Sequence, residues 1–579
     1  MRKLLATLLI ISIGSMLWAQ VDLPYQKPSK EILDLADVDV APAMRISRDG
    51  QNIVLLKRNQ YKTIEELSST EMRLGGLRID PKTNIGSRTT YYTGIELMSA
   101  GEQTAKPVTN LPENPRLAYF SWSPDEQHMA FTNTTQTGVE LWILDIKNAK
   151  AKRLTTATLN ANMGIPFTWY KSSDKLIVKK IPEDRKALIN KADAIPTGPR
   201  ISVNEGKEAQ NRTYQDLLAD KMDEQNFEQL TRSALSTLDL TGNETPFMEA
   251  RMYRYINFSP DGNYVLISYM DYPFSYLVPY YRFPTIYNVY KTDGTFVQTI
   301  EEMPLTEDIP KGNMSTTKGK RNINWRNDQP STIVFVQALD EGDAEKEVPF
   351  RDEIFTWEAP FNNAPQSLVK TINRYSQIVW GNESLALVYD YWWNTRNMKA
   401  YIIDPSNRQK TPITIQDRNY QDRYNDPGTP IVEENQFGES VLAMNKNSFY
   451  LQGAGYSPDG IFPFIDEYNF KTGKTKRLWQ ANTPDELERI TFATNIRKGE
   501  IITRIESANQ YPNYFARNIR KKGEKRPITF FANPFESLSN IHKEVITYKR
   551  YDGVDLSATL YLPANYDKNS GEKLPMIMW

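Results

Sequence analysis

The chain contains no cysteine, which excludes disulfide bonds, thiolate metal sites and cysteine nucleophiles. Histidine is nearly as scarce, because His128 and His542 are the only two in 579 residues. Two histidines leave little for a histidine-based metal site, since such sites combine several nitrogen or sulfur ligands. The composition therefore predicts a protein without a bound metal or other cofactor.

An excess of charge of either sign is also missing. The chain has 70 Lys and Arg against 71 Asp and Glu, a formal net charge of -1. A strongly basic surface is what attracts phosphate backbones and anionic lipid headgroups. We therefore expect neither nucleic acid nor a membrane surface as a partner. Nothing in the sequence indicates an oligomeric state.

Long apolar runs are absent except at the start of the chain. The basic head Met1-Arg2-Lys3 precedes an apolar stretch, Leu4 to Ala19, that is too short to span a bilayer comfortably. This pattern predicts a secretory signal peptide, residues 1–19, cleaved after Ala19, with an uncleaved anchor as the alternative. We therefore expect an exported protein, periplasmic or extracellular, without membrane contact once the signal is removed.

Aromatic residues, in contrast, are abundant at 11% and favour pleated sheets. A theme of apolar run, tight turn and second apolar run recurs along the chain. Because Pro presets the turn, Asp bonds its own backbone and Gly takes the left-handed conformation, each copy predicts a β-hairpin. Clear copies are Ile46 to Gly50, Trp122 to Glu126, Phe258 to Gly262 and Tyr456 to Gly460, and weaker ones begin at Lys171, Trp325, Trp380 and Arg497.

A second hairpin follows each of these turns, most clearly from Leu141 to Thr155, so that the repeat is a four-stranded unit. Four-stranded units in series are typical of a β-propeller. The sequence therefore predicts an all-β fold with a propeller over residues 43–535, preceded by an N-terminal segment, 20–42. The repeat count gives eight blades, with seven as the alternative.

Two insertions interrupt the repeat. The first, 182–233, has helical composition and spacing at Thr213 to Asp220 and at Asp223 to Thr231. The second, Tyr272 to Pro284, is aromatic, punctuated by Pro and unlike a strand. We interpret both as loops packed over a propeller face. The alternative is that they line a cavity shared with a further domain.

Residues 536–579 leave the repeat. Val545 to Arg550 and Leu556 to Pro563 predict a hairpin about Asp552-Gly553, and Leu574 to Trp579 predicts a third strand. We interpret this segment as a linker and the truncated start of an α/β-hydrolase domain.

Several irregular stretches are more specific than the propeller turns. They are Ile64 to Leu67, Arg73 to Asn84, Thr197 to Pro199, Asn204 to Gly206, Arg212 to Leu218, Pro273 to Tyr276 and Arg282 to Pro284. Through these stretches and the final hairpin, nearly all of the mature chain resembles the prolyl oligopeptidase family, in its glutamyl endopeptidase-like branch. The resemblance implies a propeller that caps a serine-peptidase domain, and a peptide substrate that is cleaved after acidic residues.

The chain departs from that family in its catalytic residues. A serine peptidase of this type carries its nucleophile in Gly-x-Ser-x-Gly, followed by an acid and a histidine, and no such sequence occurs. The nearest stretch, Gly455 to Asp459, has Pro after Ser and predicts a propeller turn. His128 and His542 have no nucleophile nearby in the sequence, and we interpret both as structural or solvent-exposed. We therefore expect no catalytic residue in this chain, and no activity from the 579 residues alone.

Substrate binding is a separate question. An acidic side chain that is desolvated on binding needs a fixed cation, and Arg offers a planar, bidentate fork. Arg212 and Arg282, one in each insertion, are therefore the candidate substrate-binding residues. The alternative is that they hold loop backbones or pair with surface carboxylates.

Three functions remain open. The first is the front part of an exported serine endopeptidase, whose propeller gates and orients the peptide. The second is a stand-alone propeller that binds peptides or proteins without catalysis, and the third is a noncatalytic peptidase relative. The first is favoured because a stand-alone propeller has no use for an unpartnered hairpin and apolar strand.

Overall fold

The structure is a computed structural model of the chain. It describes residues 26–193, 213–508, 510–521, 524–538 and 540–579. The predicted signal peptide, 1–19, and Arg212 lie outside the described residues. The chain divides into two units: Ala41–Asn533, and a second unit of Met1–Val40 with Pro534–Trp579. The first unit covers nearly the same residues as the predicted propeller.

In its described part, the first unit contains eight antiparallel sheets of four strands, in which each strand pairs with the preceding strand of the same sheet. We number the sheets 1 to 8 in chain order. The long strand Glu244–Phe258 serves two of them, because its first half pairs with Ser233–Asp239 and its second half with Tyr264–Met270. The strands of sheets 1 to 4 are Ala43–Ile46, Asn52–Lys57, Gly94–Ser99 and Lys106–Pro107 (sheet 1); Leu117–Trp122, His128–Thr134, Val139–Asp145 and Lys150–Arg153 (sheet 2); Phe167–Trp169, Lys175–Lys180, Ser233–Asp239 and Glu244–Phe258 (sheet 3); and Glu244–Phe258, Tyr264–Met270, Thr285–Lys291 and Phe296–Met303 (sheet 4).

The remaining sheets follow the same plan, except that the first strand of sheet 7 is split. Its two pieces, Thr429–Pro430 and Met444–Asn445, both pair with Ser448–Gly453. The strands of sheets 5 to 8 are Arg321–Trp325, Thr332–Ala338, Asp352–Glu358 and Gln366–Thr371 (sheet 5); Arg374–Asn382, Leu385–Trp392, Asn397–Ile403 and Ile413–Asn419 (sheet 6); the split strand, Ser448–Gly453, Phe464–Asn469 and Lys474–Gln480 (sheet 7); and Leu487–Asn495, Glu500–Glu506, Asn513–Asn518 and Lys525–Pro527 (sheet 8).

The second strand of each sheet is apolar on both faces, and sheet 1 shows why. Successive side chains of a strand point to opposite faces. Ile53 and Leu55 pack in one buried cluster with Ile502 of sheet 8. Val54 and Leu56 belong to another cluster, shared with sheet 2. A continuous apolar run therefore marks a sheet that is covered on both sides.

Such clusters join every sheet to the next, and the last of them joins sheet 8 back to sheet 1. Shared clusters link sheets 2 and 3 (Leu141, Leu176), 3 and 4 (Ile177, Val265), 4 and 5 (Leu266, Ile333), 5 and 6 (Val334, Val388), 6 and 7 (Leu387, Phe449), and 7 and 8 (Tyr450, Ile501). The packing order thus returns to its start, and we call the region that the first strands of sheets 4, 5 and 6 line together the interior. The mostly β fold is confirmed, and successive four-stranded meanders are the plan of propeller blades.

One of the predicted first-to-second-strand turns is wrong. Tyr456–Ser457 and Gly460–Ile461 form a small hairpin of their own, between the second and third strands of sheet 7. The first-to-second turn of that sheet lies instead between Met444–Asn445 and Ser448–Gly453. Pro, Asp and Gly specify a tight reversal of the chain but not which pair of strands it joins.

The first-to-second turns all lie at one end of the sheets, which we call the turn end. Connections from second to third strands lie at the opposite, insertion end, because the strands alternate in direction. In sheet 1 this connection contains helix α1 (Ile64–Ser68) and three short strands. The short strands are Met72–Leu74, Leu77–Asp80 and Ile85–Gly86.

The insertion of sheet 3 contains helix α2 (Lys221–Thr231), where the sequence predicts one. The predicted helix over 213–220 is wrong. Asp216 has a φ of 60°, which no right-handed helix accommodates. Asp220 then caps α2, its side chain accepting a hydrogen bond from the Asp223 amide. In sheet 4, the connection contains a 3₁₀ turn, Tyr280–Arg282, and no strand, as predicted.

The second unit contains a helix, Lys30–Ala36, a 3₁₀ turn, Glu536–Leu538, and a two-stranded hairpin. His542–Lys549 pairs with Asp555–Leu562 about the predicted Asp552-Gly553 turn. The predicted third strand, Leu574 to Trp579, is wrong: these residues are exposed and form no strand. An apolar run becomes a strand only where a ladder partner satisfies its backbone. In the described ranges, no helix has the length and apolar character needed to cross a bilayer.

Candidate functional site

A cavity of about 710 Å³ lies in the interior, against the first strands of sheets 4, 5 and 6. Its walls carry hydroxyl, amide and aromatic side chains, including Tyr255, Asn322, Asn324, Ser376 and Gln377. A volume of this size lies within the roughly 300–1,000 Å³ of ligand pockets. The polar lining distinguishes this interior from the apolar layers between the sheets.

Arg254 is the one charged residue among those that line this cavity. Its Nη1 donates to the Thr285 hydroxyl at 3.1 Å, and its guanidinium lies 5.6 Å from the centre of the Tyr280 ring. In the part of the chain that the structure describes, no carboxylate pairs with Arg254. The cavity thus has a single, half-buried positive charge without an internal counter-ion.

A β-bulge explains how Arg254 reaches the cavity. In strict alternation, Arg254 and Tyr255 face opposite sides of the sheet. The pairing with the neighbouring strand shifts by one residue between Tyr253 and Tyr255, so that Arg254 is the extra residue. Both Arg254 and Tyr255 consequently line the cavity, while Tyr253 remains buried between sheets 3 and 4.

Tyr255 adds no charge to the site. Its hydroxyl donates to Asn324 Oδ1 at 3.0 Å and accepts from Asn257 Nδ2 at 2.7 Å. Burial raises the pKa of Tyr255 to about 12, so that the phenol stays neutral at physiological pH. Arg254 is therefore the only group of the described cavity lining that bears a charge.

A hairpin borders the cavity at the turn end. It consists of Val432–Glu434, Ser440–Leu442 and the loop between them, and we call it the plug hairpin. It is inserted at the break in the first strand of sheet 7. Val432 and Ser440 line the cavity.

Three ion pairs fasten the plug hairpin to turns of other sheets. Each joins an acidic residue of the hairpin to a basic residue of sheet 1, 3 or 8. The pairs are Arg48 with Glu434, Lys171 with Glu439, and Arg497 with Glu433. Because sheet 3 is four places from sheet 7 in the packing order, the hairpin extends well beyond its own sheet at the turn end.

Sheet 5 contributes two further hydrogen bonds to the plug hairpin. Asn327 Nδ2 donates to the Ser440 carbonyl at 2.9 Å, and Asn435 Nδ2 donates to the Asn327 carbonyl at 2.7 Å. Burial raises the pKa of Glu434, an effect that Arg48 opposes and that Glu126 reinforces. The hairpin is therefore held by charged groups that are themselves partly withdrawn from water.

At the insertion end, the insertions of sheets 1, 3 and 4 share one buried cluster, which we call the cap. Phe227 of α2 lies at its centre, fully buried. The rings of Phe274 and Phe283 stand edge-on to it, with centroids 5.3 and 5.6 Å away. Leu74 and Leu218 complete its surroundings. Described residues of four of the stretches that carry the family resemblance thus meet in space, although these stretches are far apart in the chain.

Two glycines permit this meeting. Gly75 and Gly76 have φ of 58° and 89°, a conformation that L side chains rarely adopt. The Gly75 carbonyl accepts from the Tyr280 amide at 2.7 Å, and the Gly76 amide donates to the Asp216 carbonyl at 2.8 Å. The insertion of sheet 1 is therefore hydrogen-bonded to the insertions of sheets 3 and 4 through this turn.

The structure does not place Arg282 in the cavity. Arg282 lies in the 3₁₀ turn, and its guanidinium lies 5.4 Å from the centre of the Tyr214 ring. Tyr280 of the same turn does line the cavity. Arg212 lies outside the described residues. The sequence analysis did not single out Arg254, because a bulge leaves no local signal in a strand.

Neither histidine is among the residues that line the cavity. His542 Nε2 lies 3.0 Å from Glu544 Oε2 on the exposed hairpin of the second unit. His128 lies in the strand His128–Thr134 of sheet 2, partly buried. Among the described residues, no group of three or more His, Cys, Asp or Glu side chains is arranged to hold a metal ion.

A larger cavity, of about 1,000 Å³, lies beside the insertion of sheet 1. Its lining mixes both charges, with Arg58, Lys62 and Arg116 among the basic residues and Glu65 and Glu113 among the acidic ones. This mixture indicates no particular ligand charge, whereas the interior cavity does.

No protein-family model matches the chain. It is 35% identical over 584 residues to a probable glutamyl endopeptidase, chloroplastic, of Oryza sativa subsp. japonica, and 33% identical to one of Arabidopsis thaliana. Each alignment covers 96% of this chain, which spans 62% and 60% of the length of those relatives. Among solved structures, it is similar to dipeptidyl peptidase 4 of Porphyromonas gingivalis, with a TM-score of 0.48 and 11% identity over 94% of this chain and 68% of that one.

Proposed function

Because this chain belongs to the prolyl oligopeptidase family, in its glutamyl endopeptidase-like branch, we propose that the whole protein is a serine peptidase that hydrolyses peptide bonds. The observation that carries the proposal is the 35% identity to a probable glutamyl endopeptidase over 96% of this chain. The convergence of four of the family-like stretches in the cap supports it, because irregular loops that meet at one place are where folds build sites.

The first unit is, in this proposal, an eight-bladed propeller that orients and gates a peptide substrate. Eight sheets and eight shared clusters, the last between sheets 8 and 1, support that number and closure of the ring. The plug hairpin supports gating, since it occupies the turn end. A peptide would then approach the cavity from the insertion end.

The proposed substrate is a peptide with an acidic residue at the cleavage point. The names of the two plant relatives support this choice, as does the single positive charge of the interior cavity. Arg212 and Arg282 remain proposed substrate-binding residues on the resemblance alone.

The catalytic serine is proposed to lie outside these 579 residues. No Gly-x-Ser-x-Gly sequence occurs in them, and two histidines leave little choice of general base. The protein is further proposed to be exported, to the periplasm or beyond the cell, on the basic and apolar pattern of residues 1–19.

The test is active-site labelling and peptide cleavage by the natural full-length protein. A fluorophosphonate probe should label one serine, and internally quenched peptides with Glu before the scissile bond should be cut faster than matched Gln peptides. The 579-residue chain, assayed in parallel, should neither be labelled nor cleave. A full-length protein that takes no label and cuts no peptide would overturn the proposal in favour of a binding module.

A further inference from the structure

We propose that Arg254 is the anchor of a carboxylate-binding site in the interior cavity, and that the ligand is a peptide that presents one carboxylate. The proposal deepens the peptidase function and rests on it for the identity of the ligand as a peptide. The site itself rests on Arg254, its neighbours and the shape of the cavity.

The first argument is electrostatic. A charge withdrawn from water loses hydration energy, and proteins normally compensate by pairing it. Two other arginines that are largely buried follow that rule: Arg374 binds Asp340 and Asp352, and Arg517 binds Glu488. Arg254 has a hydroxyl and an aromatic face instead. A ligand carboxylate would supply the missing counter-charge.

The second argument is geometric. The guanidinium has five N–H donors, and the Thr285 hydroxyl accepts from Nη1 alone. Thr285 is itself buried, and its hydroxyl donates to the Phe283 carbonyl at 3.0 Å, which fixes the orientation of its lone pairs toward Arg254. The hydrogen bond to Thr285 thus holds one edge of the Arg254 guanidinium, and the remaining N–H groups can donate to both oxygens of a ligand carboxylate.

The third argument concerns the rest of the wall. Asn324, Gln377 and Ser376 offer neutral donors and acceptors, which suit peptide groups. Trp325 and Trp380 add apolar surface for side chains. One cation among neutral groups fits a single negative charge, and Tyr255 stays neutral beside it. A multiply charged phosphate would instead call for several basic residues.

The carboxylate has two possible sources in a peptide, an acidic side chain or the C-terminus. Three peptides separate them: acetyl-Ala-Ala-Glu-amide, acetyl-Ala-Ala-Gln-amide, and acetyl-Ala-Ala-Gln with a free C-terminal carboxylate. Their affinities for the 579-residue chain are measured by isothermal titration calorimetry. Binding to this chain needs no hydrolysis, so the result is independent of the labelling test of peptidase activity.

We expect the wild-type chain to bind at least one carboxylate peptide about 10- to 100-fold more tightly than the neutral one, as hydrogen bonds to charged groups allow. Arg254→Gln should remove that preference and leave the neutral peptide unchanged. Arg254→Lys, which keeps the charge but loses the fork, should restore part of it. The peptide whose affinity falls in R254Q identifies the source of the carboxylate.

The control is Arg251→Gln, three residues earlier in the same strand. Arg251 pairs with Glu249 at 2.6 Å and does not line the cavity. R251Q should bind all three peptides like the wild type, and circular dichroism should show that both variants are folded. A wild-type chain without carboxylate preference, or a preference that survives R254Q, would overturn the proposal.

Discussion

Lys171 and Glu439 form an ion pair between the first-to-second turn of sheet 3 and the plug hairpin, which is inserted in sheet 7. Sheets 3 and 7 lie opposite each other in a packing order of eight. Two such sheets meet only where one of them extends across the interior. This pair therefore marks the plug hairpin as a bridge over the turn end of the cavity.

Loss of that pair should loosen the plug hairpin without unfolding the protein. Lys171→Gln removes one of three ion pairs, each partly exposed and worth about 1 kcal/mol or less. We expect faster amide hydrogen exchange in residues 432–442 and a nearly unchanged melting temperature. Mass spectrometry of the exchanged peptides measures the first and calorimetry the second.

Two variants make this test specific. Lys57→Gln removes the exposed Lys57–Glu96 pair of sheet 1 and should leave exchange in 432–442 unchanged. The double reversal K171E with E439K should return exchange toward the wild-type rate. Equal exchange in K171Q and the wild type would mean that the pair does not hold the hairpin.

Asp340 should contribute strongly to stability, because it is fully buried beside Arg374. Arg374 Nη2 lies 2.7 Å from Asp340 Oδ2, and Arg351 Nη1 lies 3.0 Å from the same oxygen. Asp340→Asn leaves these guanidinium groups short of a counter-charge, at a cost of about 3 kcal/mol in the free energy of unfolding. Urea titration measures that cost. The control Glu341→Gln, at an exposed neighbour, should change nothing measurable.

The same carboxylate predicts a pH dependence. Burial alone would raise the pKa of Asp340, but hydrogen bonds from Arg374 and Arg351 bring it below its ordinary 3.8. Its stabilisation is therefore complete above about pH 3.8 and is lost as pH falls through the lower, folded-state value. The difference in melting temperature between wild type and D340N should be constant near neutral pH and shrink below pH 3.8. A difference that grows on acidification would contradict this assignment.

Phe227→Ala should disorganise the cap. The side chain is fully buried among Phe274, Phe283 and Leu74, so that its removal costs about 3–5 kcal/mol locally. We expect faster hydrogen exchange in α2 and in residues 72–80. Gln225→Ala, on the exposed face of the same helix, should leave both segments protected. Protection in residues 72–80 that survives F227A would show that the cap does not depend on this ring.

Gly76→Ala tests the contact between the insertions of sheets 1 and 4. A Cβ at Gly76 would lie 2.9 Å from Pro279 Cβ, closer than carbon atoms pack, and its φ of 89° adds strain. Gly101→Ala is the matched control, with a φ of 94° and open space around it. In both variants the positive φ should lower the free energy of unfolding by about 1 kcal/mol or more. Only in G76A should the clash with Pro279 lower it further. Equal losses of stability in the two would refute a tight contact at Pro279.

The sequence allowed the repeat to be predicted because its signals are local. Ser-Pro-Asp-Gly turns and paired apolar runs report hairpins directly, and the order of hairpins along the chain is the order of the sheets. The reversal at Gly460 misled the strand assignment, because its residues specify a turn and nothing about its partners. Leu574 to Trp579 failed as a strand for a related reason, since apolar character does not supply a ladder.

The candidate site was less accessible from sequence. Arg254 faces the cavity through a one-residue shift between strands, and the shift belongs to a pair of strands, so neither strand encodes it alone. Residues 213–220 have the composition of a helix but do not form one, because Asp216 has a φ of 60°. In both cases tertiary contacts decided between conformations that local preference leaves close in energy.

The two pieces of the split strand of sheet 7 pair with Ser448–Gly453 without any contribution from the plug hairpin. The Ala443 amide donates to the Ile431 carbonyl at 2.9 Å, so the two ends of the hairpin already meet. Deleting residues 432–442 and joining Ile431 to Ala443 would leave the pairing with Ser448–Gly453 in place. The hairpin can in this sense be removed as a unit, which would widen access to the cavity at the turn end and leave the strands of sheet 7 unchanged.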